Sequence, residues 1–498
     1  MAAAVPDQHA QVSEPAPEAA QRPGPAPRIE AHGIDYIPDR ERYGRPRSLF
    51  SVWAAASVNY LNLVVGGSLV LMGLNPWQAL AVIVVGNLFW VLTGVLSTSG
   101  PASGTPSEVV PRAIYGVRGN RVNNAVIGWM ISVCYFALNL AAAATAAFSL
   151  VERAGLTATA PVQTVVILVI AAITLTISVY GHSVIMKLYG PIALVLAAAF
   201  AVVAVGVCTH ADFSHRPAGA PTGADLWVTL LAGVTLVSAA PLSYTTSADF
   251  SRYLPRTTPA KSIVGWTFLG GFLPGGVVCA LGALAATAVD MNDPQSGLEG
   301  ILPGWFASVF PLALVLGTVS LNALTAYSAG LALQSAGVRL RRSVSVLLLG
   351  AAAVSLTLYA LLVSNFLDTV SNVLQLTVVL LGPAMAIYAT DIVLRRNRYD
   401  GPALTDESPG GVFWFRHGVN WAGAAAFALG ATAAALCVDT LYTGPLATAL
   451  DGMDLALPVG IVTAATAYAL LGRRAVLRTR LQGPGAARPG SPPAPPRA

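Results

Sequence analysis

Long apolar runs separated by short polar or basic stretches fill the chain from residue 50 to residue 472. The runs fall at 50–72, 79–98, 123–150, 161–180, 186–208, 227–247, 263–289, 306–334, 343–364, 368–393, 413–437 and 452–472. Each is near or above the roughly 18–20 residues that a helix needs to cross a bilayer. In lipid a spanning segment must pair its own backbone groups, and an α-helix does so within one run. The pattern therefore predicts an all-α integral membrane protein of twelve transmembrane helices, here called spans 1 to 12. Spans 6 and 10 are the most interrupted, by Ser, Thr, Asn and Pro.

Polar residues inside the runs come next. In span 3, "SVCYFALNLAAAAT" places Asn139 among apolar neighbours, with Tyr135 one helical turn before it. An amide left unpaired in an apolar medium costs roughly 2–7 kcal/mol. A neighbouring helix, an ordered water or a visiting molecule must bond it. Two runs also carry signs of interruption. Span 1, "VWAAASVNYLNLVVGGSLVLMG", holds Ser57, Asn59 and Asn62 before Gly66 and Gly67. Span 6, "VTLVSAAPLSYTTSADFSRYLP", holds Pro241, then Ser243, Tyr244, Thr245, Thr246 and Ser247. Proline removes a backbone donor, and hydroxyl side chains re-satisfy carbonyls that a broken helix frees. Breaks in corresponding spans five apart predict a five-plus-five inverted repeat, with broken helices 1 and 6 and two extra helices. The alternative is two ordinary helices whose Ser and Thr residues join neighbours.

Charge sets an expected orientation and domain plan. Of 498 residues, 55% are hydrophobic and only 10% charged, well below the roughly 25% typical of soluble domains. With the N-terminus inside, all but Arg153 and Arg216 of the 28 Lys and Arg residues fall on the inner side. The outer loops carry Asp290, Asp293, Glu299, Asp439 and Asp451. The positive-inside rule then places both termini in the cytoplasm of a multi-pass plasma-membrane protein. The net charge of +5 is accounted for by this asymmetry and implies no nucleic-acid partner. Residues 1–45 read as a disordered cytoplasmic tail, its first 28 rich in Ala, Pro, Gln and Glu with no signal-peptide core. The expected units are then 46–208 (spans 1–5), 227–393 (spans 6–10), 413–472 (spans 11–12) and a disordered tail, 473–498. Cys134, Cys208, Cys279 and Cys437 stand singly, in neither a metal nor a disulfide pattern. No P-loop, HExxH or GxSxG stretch occurs, which speaks against ATP-driven pumping and hydrolytic chemistry in this chain.

Over about residues 30–430 the sequence resembles the nucleobase–cation symporter family, which includes purine–cytosine, allantoin and hydantoin permeases. "GIDYIPDRERYGRPRSLFSVW" is similar to the family's basic lead into span 1. "GNLFWVLTGVLSTSGPASGTPSEVVPRAIYGVRGN" is similar to its span 2 end and following loop, with Gly100, Gly104, Arg112, Gly116 and Gly119 in place. "SADFSRYLP" resembles the acidic–aromatic–x–Arg motif closing span 6, and "NALTAYSAGLALQ" the polar part of span 8. "LGPAMAIYATDIVLRRNRYDG" with "GVNWAGAAAFALG" is similar to the span 10–11 passage. Each block alone is weak; five in order carry the likeness. It implies a LeuT-type fold and a secondary active symporter, not an enzyme, that imports a nucleobase or related N-heterocycle with a monovalent cation by alternating access.

The resemblance also implies roles. Tyr135 and Asn139 occupy the span 3 positions where the family carries an aromatic and a ring-binding amide, Tyr replacing the commoner Trp. An amide suits this task because it donates and accepts along one heterocycle edge. Asn322 in span 8 matches a substrate-contacting position; a second family amide is Thr325 here. Where the family often has a span 6 Trp, this chain has Ser243 with Tyr244 beside it, so Tyr244 is the candidate second aromatic face. Ser57 and Asn59 are candidates for the cation or substrate side of span 1. Sodium-coupled relatives carry two adjacent span 8 hydroxyls; here the pair is Ser320 and Leu321, an incomplete sodium site. No acidic residue or His falls at mid-membrane depth, with Asp249 and Asp391 near inner ends and Asp368 near the outside. Between H+ and Na+ the reading favours H+, and no cofactor is implied.

Asp249 and Arg252, three apart, are expected as a neighbouring pair that either gates the inner side or only anchors a helix end. Glu108 and Arg112, four apart, carry the same alternatives, and Met72, Trp77 and Trp90 read as packing or interface residues. Two rival functions stay open: a permease for allantoin, hydantoin or a vitamin-like ring, and a membrane-embedded sensor or enzyme.

Overall fold

The computed structural model describes residue 30 and residues 32–291, 294–363, 366–440 and 442–481. Expectations for residues 1–29 and 482–498, and for Asp293, lie outside these. Among the described residues nine helices are long and apolar enough to cross a bilayer, from Pro76–Ser103 (span 2) to Val373–Arg395 (span 10). Two bent pairs, Ser48–Ser57 with Tyr60–Leu71 and Ala456–Leu471 with Arg473–Thr479, fall on spans 1 and 12. The shorter apolar helix Trp421–Cys437 falls on span 11, so the helices are consistent with the twelve expected runs.

Both expected breaks are present. Span 1 turns through 57° between Ser57 and Tyr60. Asn59 is extended there, and its Oδ1 accepts from the Asn62 backbone N–H at 3.0 Å, starting the second half as an N-cap. The carbonyls freed by the break are met locally: Asn59 Nδ2 donates to Ala56 at 2.8 Å and Asn62 Nδ2 to Ser57 at 2.7 Å. Span 6 runs as Gly223–Leu242, carries Pro241 at its end, and gives way to turns over residues 243–247 before the short helix Ala248–Ser251. Thr93 of span 2 donates to the Pro241 carbonyl at 2.9 Å, and Ser247 Oγ donates back to the Thr93 carbonyl at 2.9 Å. Each break is thus closed by hydroxyl or amide side chains, as lipid requires.

The packing obeys the inverted repeat. Span 1 lies against span 7 and span 6 against span 2; span 4 packs on span 8 and span 9 on span 3; span 5 packs on span 1 and span 10 on span 6. Shifting both members of one pair by five spans generates the other pair, and span 3 against span 8 maps onto itself. Spans 11 and 12 pack on each other and on span 10. Glycine makes the tightest of these crossings feasible: a Cβ on Gly317 of span 8 would lie 2.0 Å from the Val58 carbonyl oxygen at the span 1 break.

The basic residues gather at one end, called the basic end here. A buried knot fastens spans 10 and 12 there. Asp391 accepts from Arg395 Nε at 2.9 Å and from the Tyr399 and Tyr468 hydroxyls, each at 2.8 Å. Arg395 also donates to Thr479 Oγ1 at 2.8 Å and to the Ala113 carbonyl at 3.1 Å.

The expected tails differ from what is found. Within 1–45, Ile37 is fully buried and bonds the Gly104 carbonyl through its N–H at 2.8 Å, while Arg42 reaches the Ile37 and Pro101 carbonyls. Composition hid this because the anchors are single residues in a polar stretch. Within 473–498, Arg473–Leu481 is a helix bent 52° from span 12 over Arg473–Thr479.

Candidate functional site

Between the two breaks lies a cavity whose empty space, opening included, is about 890 Å³. Its walls come from span 1 (Ser57, Asn59, Asn62), span 2 (Trp90), span 3 (Tyr135, Asn139), the span 6 break (Ser243, Tyr244, Thr245, Thr246) and span 8 (Thr325, Ser328). Most residues expected to bind substrate are therefore brought together, from spans far apart in sequence. Asn322 and Ser320 do not line it.

Asn139 is held from behind. Its Nδ2 donates to Asn322 Oδ1 at 3.1 Å, and Asn322 Nδ2 donates to the Phe136 carbonyl at 3.0 Å. This chain consumes Asn322 and orients Asn139, whose own Oδ1 has no hydrogen-bond partner although the residue is only 2% exposed. A buried acceptor left unmet costs about 1–3 kcal/mol. Ser57 Oγ, on the opposite wall, is equally unpartnered. Several other polar groups in and beside the cavity are engaged. Tyr135 donates its hydroxyl to the Ala239 carbonyl at 3.3 Å and lies 3.1 Å from Thr377 Oγ1. Ser243, Thr325 and Ser320 bond back to carbonyls of their own helices. Asn59 is occupied in capping, and the Ser320 carbonyl accepts from Tyr189.

The aromatic wall is fuller than the sequence indicated. Trp90 stacks on Tyr244 with ring centres 5.2 Å apart and planes 28° from parallel, and Trp53 meets Tyr244 edge-on at 4.8 Å. Trp90 is thus a wall of the cavity, not only a packing residue. It fits because span 7 offers Gly271, where a Cβ would sit 2.1 Å from the indole. No local signal ties Trp90 to Gly271 or to Tyr244, since the three meet only in the folded bundle.

The expected ion pairs are replaced by others. Arg252 meets Glu30 at 3.1 Å instead of Asp249, and also donates to the Gly33 carbonyl at 2.7 Å and to Tyr327 Oη at 2.9 Å. The backbone stays helical through Arg252, but Glu30, the Gly33 carbonyl and Tyr327 take up its guanidinium. Glu30 further accepts from the Tyr253 and Tyr327 hydroxyls and from the His182 backbone N–H. Burial pushes its carboxyl up, but Arg252, His182, Arg342 and the Tyr253 hydroxyl outweigh burial and hold it at about 2. Arg112, expected near Glu108, instead pairs with Glu407 at 2.6 Å. Asp249 accepts from the Ser107 N–H at 2.7 Å and the Ser328 hydroxyl at 2.6 Å. Glu108 is buried beside it, although it stands outside the apolar runs.

A helical bundle with two broken spans meeting at a polar cavity is the architecture of a secondary membrane transporter working by alternating access. Residues 36–460 match the family model described as permease for cytosine/purines, uracil, thiamine, allantoin, and the chain belongs to that family. It is 28% identical over 458 residues to YxlA of Bacillus subtilis (strain 168), a protein assigned by name as a purine-cytosine permease, covering 89% of this chain and 96% of that one. Mhp1, a nucleobase-cation-symport-1 family transporter solved in a closed conformation with bromovinylhydantoin bound, superposes with a TM-score of 0.72 at 18% identity, covering 89% of this chain and 95% of Mhp1. The inward-facing conformation of Mhp1 gives 0.67 at 17% identity, covering 91% and 96%.

Proposed function

We propose that this permease imports a nucleobase or related planar N-heterocycle together with a proton, and that the basic end and both termini face the cytoplasm of a plasma membrane. The observation that carries the substrate reading is the pair of unpartnered polar atoms, Asn139 Oδ1 and Ser57 Oγ, facing a cavity walled by the Trp90–Tyr244 stack. A flat heterocycle with ring N–H groups would supply the missing donor to Asn139 while its faces meet aromatic rings. The family description and the name carried by YxlA support the same class. For the ion, Ser320 is the lone hydroxyl of its span 8 pair and is bonded to Leu316, which supports H+ over Na+. The orientation rests on the basic loops.

A hydantoin- or allantoin-type ring is the second reading. The observation in its favour is Thr325, whose hydroxyl is bonded back to Leu321 and leaves one fewer edge partner for a larger base. Uptake of labelled cytosine into proteoliposomes, competed by a panel of purines, pyrimidines, hydantoins and allantoin, decides between them. Competition by nucleobases supports the first reading and competition by hydantoins alone the second. No accumulation of any of these rings above equilibrium would refute both readings.

A further inference from the structure

At the foot of the substrate cavity a second cavity begins, with Ile127, Thr245 and Thr246 as walls common to both. Its floor is Glu108, contributed by the loop that joins spans 2 and 3. Glu108 is 3% exposed and Asp249 is not exposed at all, and the two carboxyl groups lie within hydrogen-bonding reach of each other. The hydrogen bonds made around the pair leave the Glu108 carboxyl out. Ser107 N–H and Ser328 Oγ serve Asp249. Asn120, Asn124 and Ser335 donate to the Glu108 backbone carbonyl at 2.7, 2.9 and 2.8 Å. Both Glu108 side-chain oxygens are left with no partner.

Two facing carboxylates in a water-poor site repel, and oxygens without donors are costly to bury. One proton removes the repulsion and gives one of the two Glu108 oxygens a partner, because a protonated Glu108 donates to Asp249. We infer that Glu108 and Asp249 share a proton and form the site where the coupled proton is carried. The charged and titratable groups facing the pair are Arg252 from the span 6 break, Tyr388 from span 10 and Tyr115 from the helix after the loop. Arg252 is neutralised by Glu30, and Tyr388 is 2.7 Å from Ser99 Oγ. Burial and then Asp249 raise Glu108 well above the ordinary carboxylate range, in the same direction. Separating the loop from residues 248–251 at the basic end would admit water, split the pair and pass the proton to solvent. The substrate cavity and the proton site share the wall residues Thr245 and Thr246, which links the two occupancies.

This inference deepens the proton-coupled reading and is tested in two arms. The first needs no substrate: infrared spectra of the purified protein in bilayers should show a protonated-carboxyl band at pH 7 that is lost in Glu108→Gln. The second is accumulation in proteoliposomes under a one-unit pH gradient, which for one proton per substrate reaches at most about tenfold. Glu108→Gln should accumulate nothing above equilibrium, and Asp249→Asn should lose the drive equally; should the Glu108 variant not fold, Asp249→Asn carries both arms. A band untouched by Glu108→Gln overturns the shared proton whatever the substrate proves to be. Tenfold accumulation by the variant, or wild-type accumulation driven by sodium and indifferent to pH, overturns its role in coupling.

Discussion

Glu30→Gln removes one carboxylate from the meeting point of several spans. Glu30 bridges Arg252 and Tyr253 after the span 6 break, Tyr327 of span 8 and the start of span 5, with Arg342 of span 9 at 3.9 Å. A carboxyl lowered from 4.5 to about 2 at 1.36 kcal/mol per unit gives about 3 kcal/mol for the charged form. That lies at the lower edge of the roughly 3–5 kcal/mol lost when one partner of a buried pair is deleted. These contacts exist only while the spans stay gathered, so the loss should raise the opened population by about a hundredfold. Hydrogen exchange of residues 32–45 and 243–254 measures it: rates in the variant should rise by about two decades at pH 7. The sign with pH is fixed. A lowered carboxyl stabilises fully above 4.5, and that contribution fades as pH falls from 4.5 through about 2, so wild type should converge on the variant there. Exchange within threefold of wild type at pH 7 would refute the latch.

The other predictions concern the cavity and the crossings around it. Asn139→Ala should weaken substrate binding at least about tenfold, the equivalent of one lost charge-free hydrogen bond in a buried site, with unchanged membrane insertion; an unaltered Kd removes Asn139 from the site. Trp90→Leu should reduce affinity by a similar factor through loss of the stack on Tyr244, while Trp90→Phe keeps most of it; equal affinities in a binding assay would return Trp90 to a packing role. Gly317→Ala should cost about 1–3 kcal/mol by overpacking against the Val58 carbonyl, read as a lower thermal midpoint in detergent.

Much of the fold was legible because lipid imposes simple rules. Apolar length predicted the spans, and Pro241 and the Asn59 region predicted the breaks, since each follows from backbone pairing within a short stretch. The cavity walls at Tyr135, Asn139 and Tyr244 came from family likeness, and composition alone could not have aligned spans 3 and 6. What escaped prediction depends on contacts distant in sequence. Trp90 needed Gly271, Arg252 needed a glutamate in an apparent tail, and Glu108 was buried by a loop folding back beside Asp249. Helical spacing suggested Asp249–Arg252 and Glu108–Arg112, but Arg252 is drawn off to Glu30 and Tyr327, and Glu108 lies before the helix that starts at Arg112, which turns to Glu407.

The knot around Asp391 fixes where span 10 is able to bend. Arg395, Tyr399 and Tyr468 clasp Asp391, and Thr479 accepts from Arg395, so the half of the helix beyond Pro383 is tied to span 12 and the helix that follows it. Pro383 lacks the donor that would stiffen the turn, so any bend in span 10 is expected there, with the 366–382 half free to move relative to the clasped half. Spin labels on either side of Pro383 would see it directly: the far half keeps its spacing to span 12 through the transport cycle, and the near half does not.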